Sequence, residues 1–193
     1  MTTIKLTNVR LSYPHLAEPR AIGADSKPKY SASLLIDKAD KETVAAMQAA
    51  IKEAAEEGRV SCFGGKIPKQ LTLPLRDGDV ERDDDEAYQG VYFVNASSTN
   101  KVPCFDQRLK EIDDIEEDLY AGCYVNVIIN VRAYNHPQGG KGIAAYLNGV
   151  QKAADGERLD GRTDVVNQFD VINGGADDED DELTRILADQ LAG

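Results

Sequence analysis

The strongest candidates for binding chemistry lie in the segment "CYVNVIINVRAYN", residues 123–135. Successive side chains of a strand point to opposite faces, and this segment alternates between an apolar face and a polar, aromatic one. The polar face carries Tyr124, Arg132 and Tyr134, and Tyr146 lies in the strand predicted to follow. Such rings can stack on unpaired bases while a guanidinium neutralises phosphate, and each stacked base contributes about 1 to 3 kcal/mol. Plain packing, in which each tyrosine caps a core and leaves its hydroxyl in water, fits the pattern equally well.

Basic and aromatic residues in the predicted loops and turns flank this face. They come from a proline-rich stretch near residue 28, from the turn that follows "TNKVP", and from the glycine-rich hairpin tip "HPQGGKG". Duplex DNA is usually read by a helix with a basic face, which this chain lacks, so the pattern favours single strands. The full candidate set for nucleic-acid binding is Lys27, Lys29, Lys101, Phe105, Arg108, Tyr124, Arg132, Tyr134, Lys141 and Tyr146.

Catalytic motifs are scarce in this sequence. It has 2 histidines and no G-x-S-x-G, Walker-type or H-E-x-x-H motif. The "GGKG" at 139–142 lies between two predicted strands, so it lacks the helix N-terminus that a phosphate loop uses. An enzyme would need residues that these motifs do not supply.

Two groups of residues in the sequence contain side chains that can bind metals. The carboxylates Asp83 to Glu86 could hold a hard cation in a nuclease, but a consecutive run in a loop is more typical of solvated charge. The 3 cysteines, Cys62, Cys104 and Cys123, could join His136 around zinc, but they lack the close pairs that such sites use. Reduced, buried thiols are the better interpretation, and no metal site is predicted.

Length, composition and charge describe one soluble domain. The chain has 193 residues, 41% of them hydrophobic, and a formal net charge of -12. The acid is concentrated in residues 76–118 and 173–193, so a polyanion could still bind elsewhere. No signal peptide and no apolar run of about 20 residues appears, which predicts a cytoplasmic protein without membrane contact.

Five strands and one helix are predicted to position the candidate residues. Apolar residues occupy every second position in residues 4–11, but they change to the other face at Thr7 and Asn8, which indicates a β-bulge. Residues 12–29 contain three prolines and are predicted as a loop. Residues 61–90 are predicted as a second long loop because turn signals and like charges are dense there. The remaining strands are 30–36, "VYFVNASS", "CYVNVIINVRAYN" and "IAAYLNGVQ".

The one predicted helix begins near Asp40 and ends at Gly58. Asp40 suits the N-cap and Gly58 the C′ position. Its apolar stripe, Val44, Met47, Ile51 and Ala54, is narrow, so we expect the helix to lie across one end of a sheet. Together these elements predict a mainly β fold: an OB-like, five-stranded antiparallel barrel with one inserted helix and long loops.

Three segments of the chain resemble bacteriophage single-stranded DNA-binding proteins of the OB-fold type. These are "TNKVPCFD", "LYAGCYVNVIINVRAYN" and "GKGIAAYLNGVQKAADGERLDGR", and the resemblance runs from Leu6 through Phe169. It implies single-stranded DNA as the ligand, no catalysis and no cofactor. It also implies a role in phage DNA replication or recombination, inside the host cell.

The resemblance further implies a disordered acidic tail. We therefore expect a DNA-binding domain at 1–172 and a flexible tail at 173–193. A polyanionic tail can occupy a basic groove in place of DNA and, once displaced, recruit replication proteins through Leu183 to Leu191. The carboxylates that would imitate phosphates are Asp177, Asp178, Glu179, Asp180, Asp181 and Glu182.

Two further points stay open on the sequence alone. The tail could serve only to keep the protein soluble, and the whole chain could be an acidic DNA mimic or protein-interaction module that binds no DNA. A homo-oligomer is also compatible with the sequence.

Overall fold

The computed structural model describes residues 1–21, 26–137 and 139–162. Among these residues, no helix is long and apolar enough to cross a membrane. The strands are β1 (Thr2–Arg20), β2 (Lys29–Asp37), β3 (Leu75–Asp77), β4 (Val91–Ser98), β5 (Cys104–Phe105), β6 (Tyr124–His136) and β7 (Gly140–Ala154). The helices are α1 (Lys41–Ser61), α2 (Gly78–Glu81) and α3 (Ile115–Asp118), with a 3-10 turn at Glu86–Tyr88.

Five of these strands close into a barrel. The sheet order is β3-β4-β2-β1-β6-β7-β5, and an additional β4–β7 pairing joins the two halves. The closing pair is parallel, with Ala96 opposite Ala145 and Ser97 opposite Tyr146. The predicted OB-like barrel is therefore confirmed, although its closing pair is parallel rather than antiparallel. The short strands β3 and β5 extend the sheet beyond the barrel and were not predicted.

The apolar face of β6 forms the centre of the core, as its alternation predicts. Val125, Val127, Ile129 and Val131 are at most 1% exposed, while Ala133 is half-buried. They pack against apolar residues of β1, β2, β4 and β7 in one continuous cluster. Because the pleat alternates, this burial forces their neighbours on β6 to the outside of the barrel.

The predicted bulge in β1 is confirmed. The β1–β6 register shifts between Leu6 and Val9, and Asn8 has a positive φ of 54°. The backbone N–H of Asn8 donates to the Asn126 Oδ1, 3.0 Å away. Asparagine tolerates the left-handed conformation better than most residues, which explains its place at the bulge.

The predicted loop over residues 12–29 was wrong for its first part. β1 continues through Pro14 and Pro19 to Arg20 and pairs with β2, with register shifts on either side of His15. β6 pairs with β1 only as far as Arg10, so this part of β1 is an edge. Prolines are tolerated at edges and bulges because no ladder hydrogen bond is lost there.

The predicted loop over residues 61–90 was also partly wrong. It contains β3, α2 and the 3-10 turn, and the Tyr88 ring is fully buried. That ring packs edge-on against Phe93, with centroids 5.1 Å apart, and its hydroxyl donates to the Ser12 Oγ at 3.2 Å. The turn therefore covers part of the outer surface of β2 and β4.

Helix α1 begins as predicted but ends later. Asp40 is the N-cap and accepts a hydrogen bond from the Thr43 N–H at 3.0 Å. Gly58 is not the C′ residue, because the helix continues to Ser61. Gly58 is buried instead, and a methyl group there would overlap the Cβ of Ala133. The glycine thus allows α1 to approach β6 closely.

We expect Gly58→Ala to lower the free energy of unfolding, although alanine is the better helix former by about 1 kcal/mol. Overpacking against Ala133 should cost about 1 to 3 kcal/mol, which exceeds that gain. Urea denaturation of both proteins measures the difference. Ala45→Gly on the exposed side of α1 is the control that gives the size of the propensity term. A higher urea midpoint for Gly58→Ala would contradict the close contact.

Candidate nucleic-acid interface

A continuous polar row crosses the outside of the barrel. Strand pairing brings its members side by side in the order His15, Ser31, Ser97, Tyr146, Asn130 and Thr3. A neighbouring row contains Ser12, Ser33 and Asn95, and Arg132 pairs with Ala144 beside it. We call these two rows the outer band. It crosses all five barrel strands on the side away from the core. Within the second row Ser12 and Ser33 are buried, Ser12 against the Tyr88 hydroxyl, whereas Asn95 is exposed.

Arg132 and Tyr146 form the exposed aromatic and cationic centre of this band. The Arg132 guanidinium lies 6.0 Å from the centre of the Tyr146 ring. Tyr146 is 36% exposed, and Arg132 is exposed and makes no ion pair with any described residue. The ring is therefore open to solvent and not sealed in the core, so it is available to stack on a base.

Tyr134 lies at one end of the band, over the β6–β7 hairpin. Its hydroxyl oxygen is 2.6 Å from where a Cβ at Gly142 would lie, and the Thr72 carbonyl oxygen is 2.7 Å from that point. Only glycine fits at position 142 with the ring so placed. Tyr134 also lines a groove of about 630 Å³, the hairpin groove, with Asn95, Ala144, Ile143, Glu81 and residues 71–76.

Lysines with no ion pair among the described residues lie at both ends of the band. Lys29 begins β2 opposite Arg20 of β1, and Lys27 is exposed just before it. Lys141 is exposed at the hairpin, opposite Asn135. Burial, followed by the nearby Arg20, lowers the pKa of His15. That histidine is mostly neutral at pH 7, so the positive charge of the band comes from lysine and arginine.

The structure places other predicted residues away from this centre. Tyr124 is eight residues from Arg132 along β6, roughly 26 Å in a strand, and it packs beside Gly156. Phe105 pairs with Gln151 at the far edge of the sheet, with the exposed Arg108 in the next turn. Lys101 is exposed in the loop between β4 and β5. A single strand would have to be long to touch both groups.

A second aromatic groove was missed by the sequence analysis. It measures about 570 Å³ and is lined by residues 12–20 of β1 together with Tyr120. Tyr13 lines it, is 53% exposed, and donates a hydrogen bond to Asp85 at 3.3 Å. Arg82 lies over the rings of Tyr13 and Tyr88. The sequence signal for this groove is Tyr13, which was overlooked because residues 12–29 were predicted as a loop.

The second groove is less suited to a polyanion than the outer band. Four carboxylates line it beside two arginines and a mostly neutral histidine, so a phosphate backbone would meet like charge along its length. The carboxylates are Glu18, Asp85, Glu116 and Asp160, and the basic residues are His15, Arg20 and Arg162.

In the acidic run Asp83 to Glu86, Asp85 has a structural role, while the other three residues are exposed. Asp85 caps the 3-10 turn by accepting from the Ala87 N–H at 3.1 Å, and it also accepts from Tyr13. Within the described ranges, no group of three or more His, Cys, Asp or Glu side chains is placed to hold a metal ion. The cysteines are free thiols. Burial raises the pKa of Cys104 and of Cys123 to about 11.

Comparison with known proteins finds one family and several solved structures. The family described as "Enterobacter phage Enc34, ssDNA-binding protein" matches residues 2–184. Protein p50 of Acyrthosiphon pisum secondary endosymbiont phage 1 is 31% identical over 182 residues, which span 91% of this chain and 97% of p50.

The similar structures are phage single-stranded DNA-binding proteins. That of bacteriophage Enc34 in complex with ssDNA is 30% identical with a TM-score of 0.70, covering 81% of this chain and 89% of its own. The Enc34 protein in another structure gives a TM-score of 0.66 at 30% identity, with coverages of 87% and 90%. Gp2.5 of bacteriophage T7 is 14% identical with a TM-score of 0.56, covering 92% and 99%, and supports the fold alone.

We expect iodoacetamide at pH 8 to label only Cys62 in the folded protein. The thiols of Cys104 and Cys123 are buried and stay protonated at that pH, because their pKa is about 11, and the thiolate is the reactive form. Intact-mass analysis should show one adduct. The same treatment in denaturant is the control and should label all three. Equal labelling of Cys104 or Cys123 in the folded state would contradict this burial.

Proposed function

The chain belongs to the family of phage single-stranded DNA-binding proteins represented by the Enc34 protein, and on that premise we propose that it binds single-stranded DNA along the outer band. The observation that carries the proposal is the exposed pair of Arg132 and Tyr146. Family membership supports single-stranded DNA as the ligand, and this exposed pair supports the outer band as its place on the barrel.

The geometry of the outer band suits an unpaired strand. Bases can stack on rings such as Tyr146 and Tyr134, which have no preference for sequence because every base has a π-face. Phosphates can lie on Arg132, Lys141 and Lys29. In OB-folds generally, oligonucleotides bind on the face of the second and third barrel strands and on the adjoining loops. Those strands correspond here to β2 and β4, which lie in the middle of the band.

The role that follows is to coat exposed strands during phage DNA replication or recombination. Stacking and ion pairing require no bond to be made or broken, so the proposal needs no catalytic residue and no cofactor. Binding through phosphates is weakened by salt because counterions are released. A single strand would therefore be covered reversibly by this surface.

The acidic tail extends this proposal. The predicted boundary between domain and tail, residue 172, and the carboxylates Asp177 to Glu182 lie outside the described residues. Their role is inferred from charge: a run of carboxylates resembles the phosphates for which Arg132, Lys141 and Lys29 would compete. On this view the tail covers the band when DNA is absent and is released to replication proteins when DNA binds.

We expect Tyr146→Ala to weaken binding of a single-stranded oligonucleotide by about 1 to 3 kcal/mol, because one base loses its stacking partner. Arg132→Ala should weaken binding and also reduce the slope of log K against log salt by about 0.7, since one phosphate contact is lost. Fluorescence anisotropy across a salt series measures both.

Lys52→Ala is the matched control for these variants, since it removes an exposed cation from α1. Its affinity and salt slope should equal those of the wild type. If Arg132→Ala and Tyr146→Ala bind as tightly as this control while folded, the outer band is not the DNA surface.

We expect removal of residues 174–193 to tighten binding at low salt, because a competing polyanion is lost. A full-length variant with Asn or Gln in place of the six tail carboxylates should bind as tightly as the truncated protein, since length is kept and only charge is removed. Both are measured by anisotropy against the wild type. Unchanged affinity at low salt for both proteins would rule out competition by the tail.

A further inference from the structure

The hairpin groove lies where the barrel closure ends. β4 and β7 pair only at Ala96 with Ala145 and at Ser97 with Tyr146. Next to these pairs a separate segment bridges the two strands. Thr72 pairs with Gly142 of β7, and Leu75 pairs with Val94 of β4. The groove of about 630 Å³ follows this junction, and its size is within the range of small-ligand sites, roughly 300 to 1,000 Å³.

The walls of the groove offer a ring, apolar surface and a free amide. Tyr134 forms part of one wall, and Leu71, Leu73 and Pro74 contribute apolar surface. Asn95 accepts a hydrogen bond from the Ser33 hydroxyl through its Oδ1 at 2.5 Å. Its amide nitrogen makes no hydrogen bond with a described residue. It is thus able to donate to a carbonyl or ring nitrogen on the edge of a base.

Charges are separated between the inside and the outside of the groove. The two charged side chains that line it, Arg76 and Glu81, pair with each other. Two cations that form no ion pair within the described part of the chain are just outside, with Arg132 opposite the groove residue Ala144 and Lys141 next to Gly142. A phosphate gains nothing inside the groove and meets the Glu81 carboxylate there, whereas it is attracted to the rim. This arrangement favours a base inside and its phosphates outside.

We infer that the hairpin groove takes one unpaired base, stacked on Tyr134 with its edge on Asn95, and that this pocket makes the protein prefer single strands to duplexes. The inference rests on the proposed function and deepens it. A base within a duplex has its edge occupied by its partner and cannot enter without first unpairing from it. The cations of the outer band attract both forms of DNA, so the pocket supplies the discrimination.

The experiment compares a pocket-filling variant with wild type on three probes. Ala144→Leu places a larger side chain in the groove, and Ala45→Leu is the matched control on the exposed face of α1. The probes are a thymidine oligonucleotide, a strand of equal length made of abasic nucleotides, and a duplex. Dissociation constants come from anisotropy at one fixed salt concentration.

We expect Ala144→Leu to bind the thymidine strand about tenfold more weakly, which matches the loss of one stacked base. It should bind the abasic strand and the duplex as the wild type does. Asn95→Leu is the second variant, because it is uncharged and of similar size and removes the donating amide without adding a carboxylate that would repel phosphates. This variant should also bind the thymidine strand more weakly and the abasic strand and duplex unchanged. It tests whether the groove binds a base if Ala144→Leu fails to fold.

Two results would overturn the pocket. Equal losses on abasic and thymidine strands would mean that the variants disturb the phosphate path instead, and unchanged affinities would mean that the groove is not used. In both cases the wild type still binds single strands, so the proposed function survives. If the wild type binds none of the strands, both the proposed function and the base-binding pocket are contradicted.

Discussion

The alternation of side chains in a closed barrel determines which residues of this protein are buried and which can meet a ligand. Each strand that closes the barrel must place one row of side chains in the core and the next row in solvent. On β6 this fixes Val127, Ile129 and Val131 inside with at most 1% exposure, and consequently Asn130 and Arg132 outside. A shift of one residue would exchange the two rows and expose the core, so the proposed binding surface is held in place by the hydrophobic effect.

The net charge of -12 is compatible with a polyanion ligand because the excess of acidic residues is concentrated in residues 76–118 and 173–193. Asp77 and Asp79 bind Lys38 at 2.5 and 2.6 Å, and these hydrogen bonds raise the pKa of that lysine. Asp79 also accepts from the Gly90 N–H at 2.9 Å. These contacts hold β3 and α2 beside β4, while Arg132 and Lys141 lack ion pairs among the described residues. The acid therefore builds the fold on one side of the barrel and leaves the band cationic.

The sequence predicted the elements whose alternation is strict. The inward and outward rows of β6, the bulge at Asn8 and the N-cap at Asp40 all follow from local patterns. The helix end at Gly58 was wrong because that glycine serves contact with Ala133, which is distant in sequence and leaves no local signal. The extension of β1 through Pro14 was missed since edge pairing depends on which neighbours a strand has. The burial of Tyr88 was not predicted because this residue follows a run of charged residues, one of which, Asp85, caps the turn that contains it.

The candidate site was predictable only in part, for a similar reason. The alternation of side chains along β6 and β7 identifies Arg132, Tyr134 and Tyr146 as outward residues. The structure brings Arg132 and Tyr146 together, with Tyr134 two residues further along β6. Alternation shows which face a side chain lies on but not how far along the strand it is. Tyr124 and Phe105 were therefore grouped with these residues although they lie at the far end of the sheet. Asn95 could not be found at all, because its place beside Ala144 arises from the β4–β7 closure.

Photo-cross-linking tests the position of the binding surface most directly. A thymidine oligonucleotide bound to the full chain is irradiated, the protein is digested, and the attached peptides are located by mass spectrometry. We expect the attachments at Tyr146 and Tyr134, on the outer band and its hairpin groove. Attachment mainly at Tyr13 and Tyr120, in the second groove, or on α1, would contradict the assignment of DNA binding to this face.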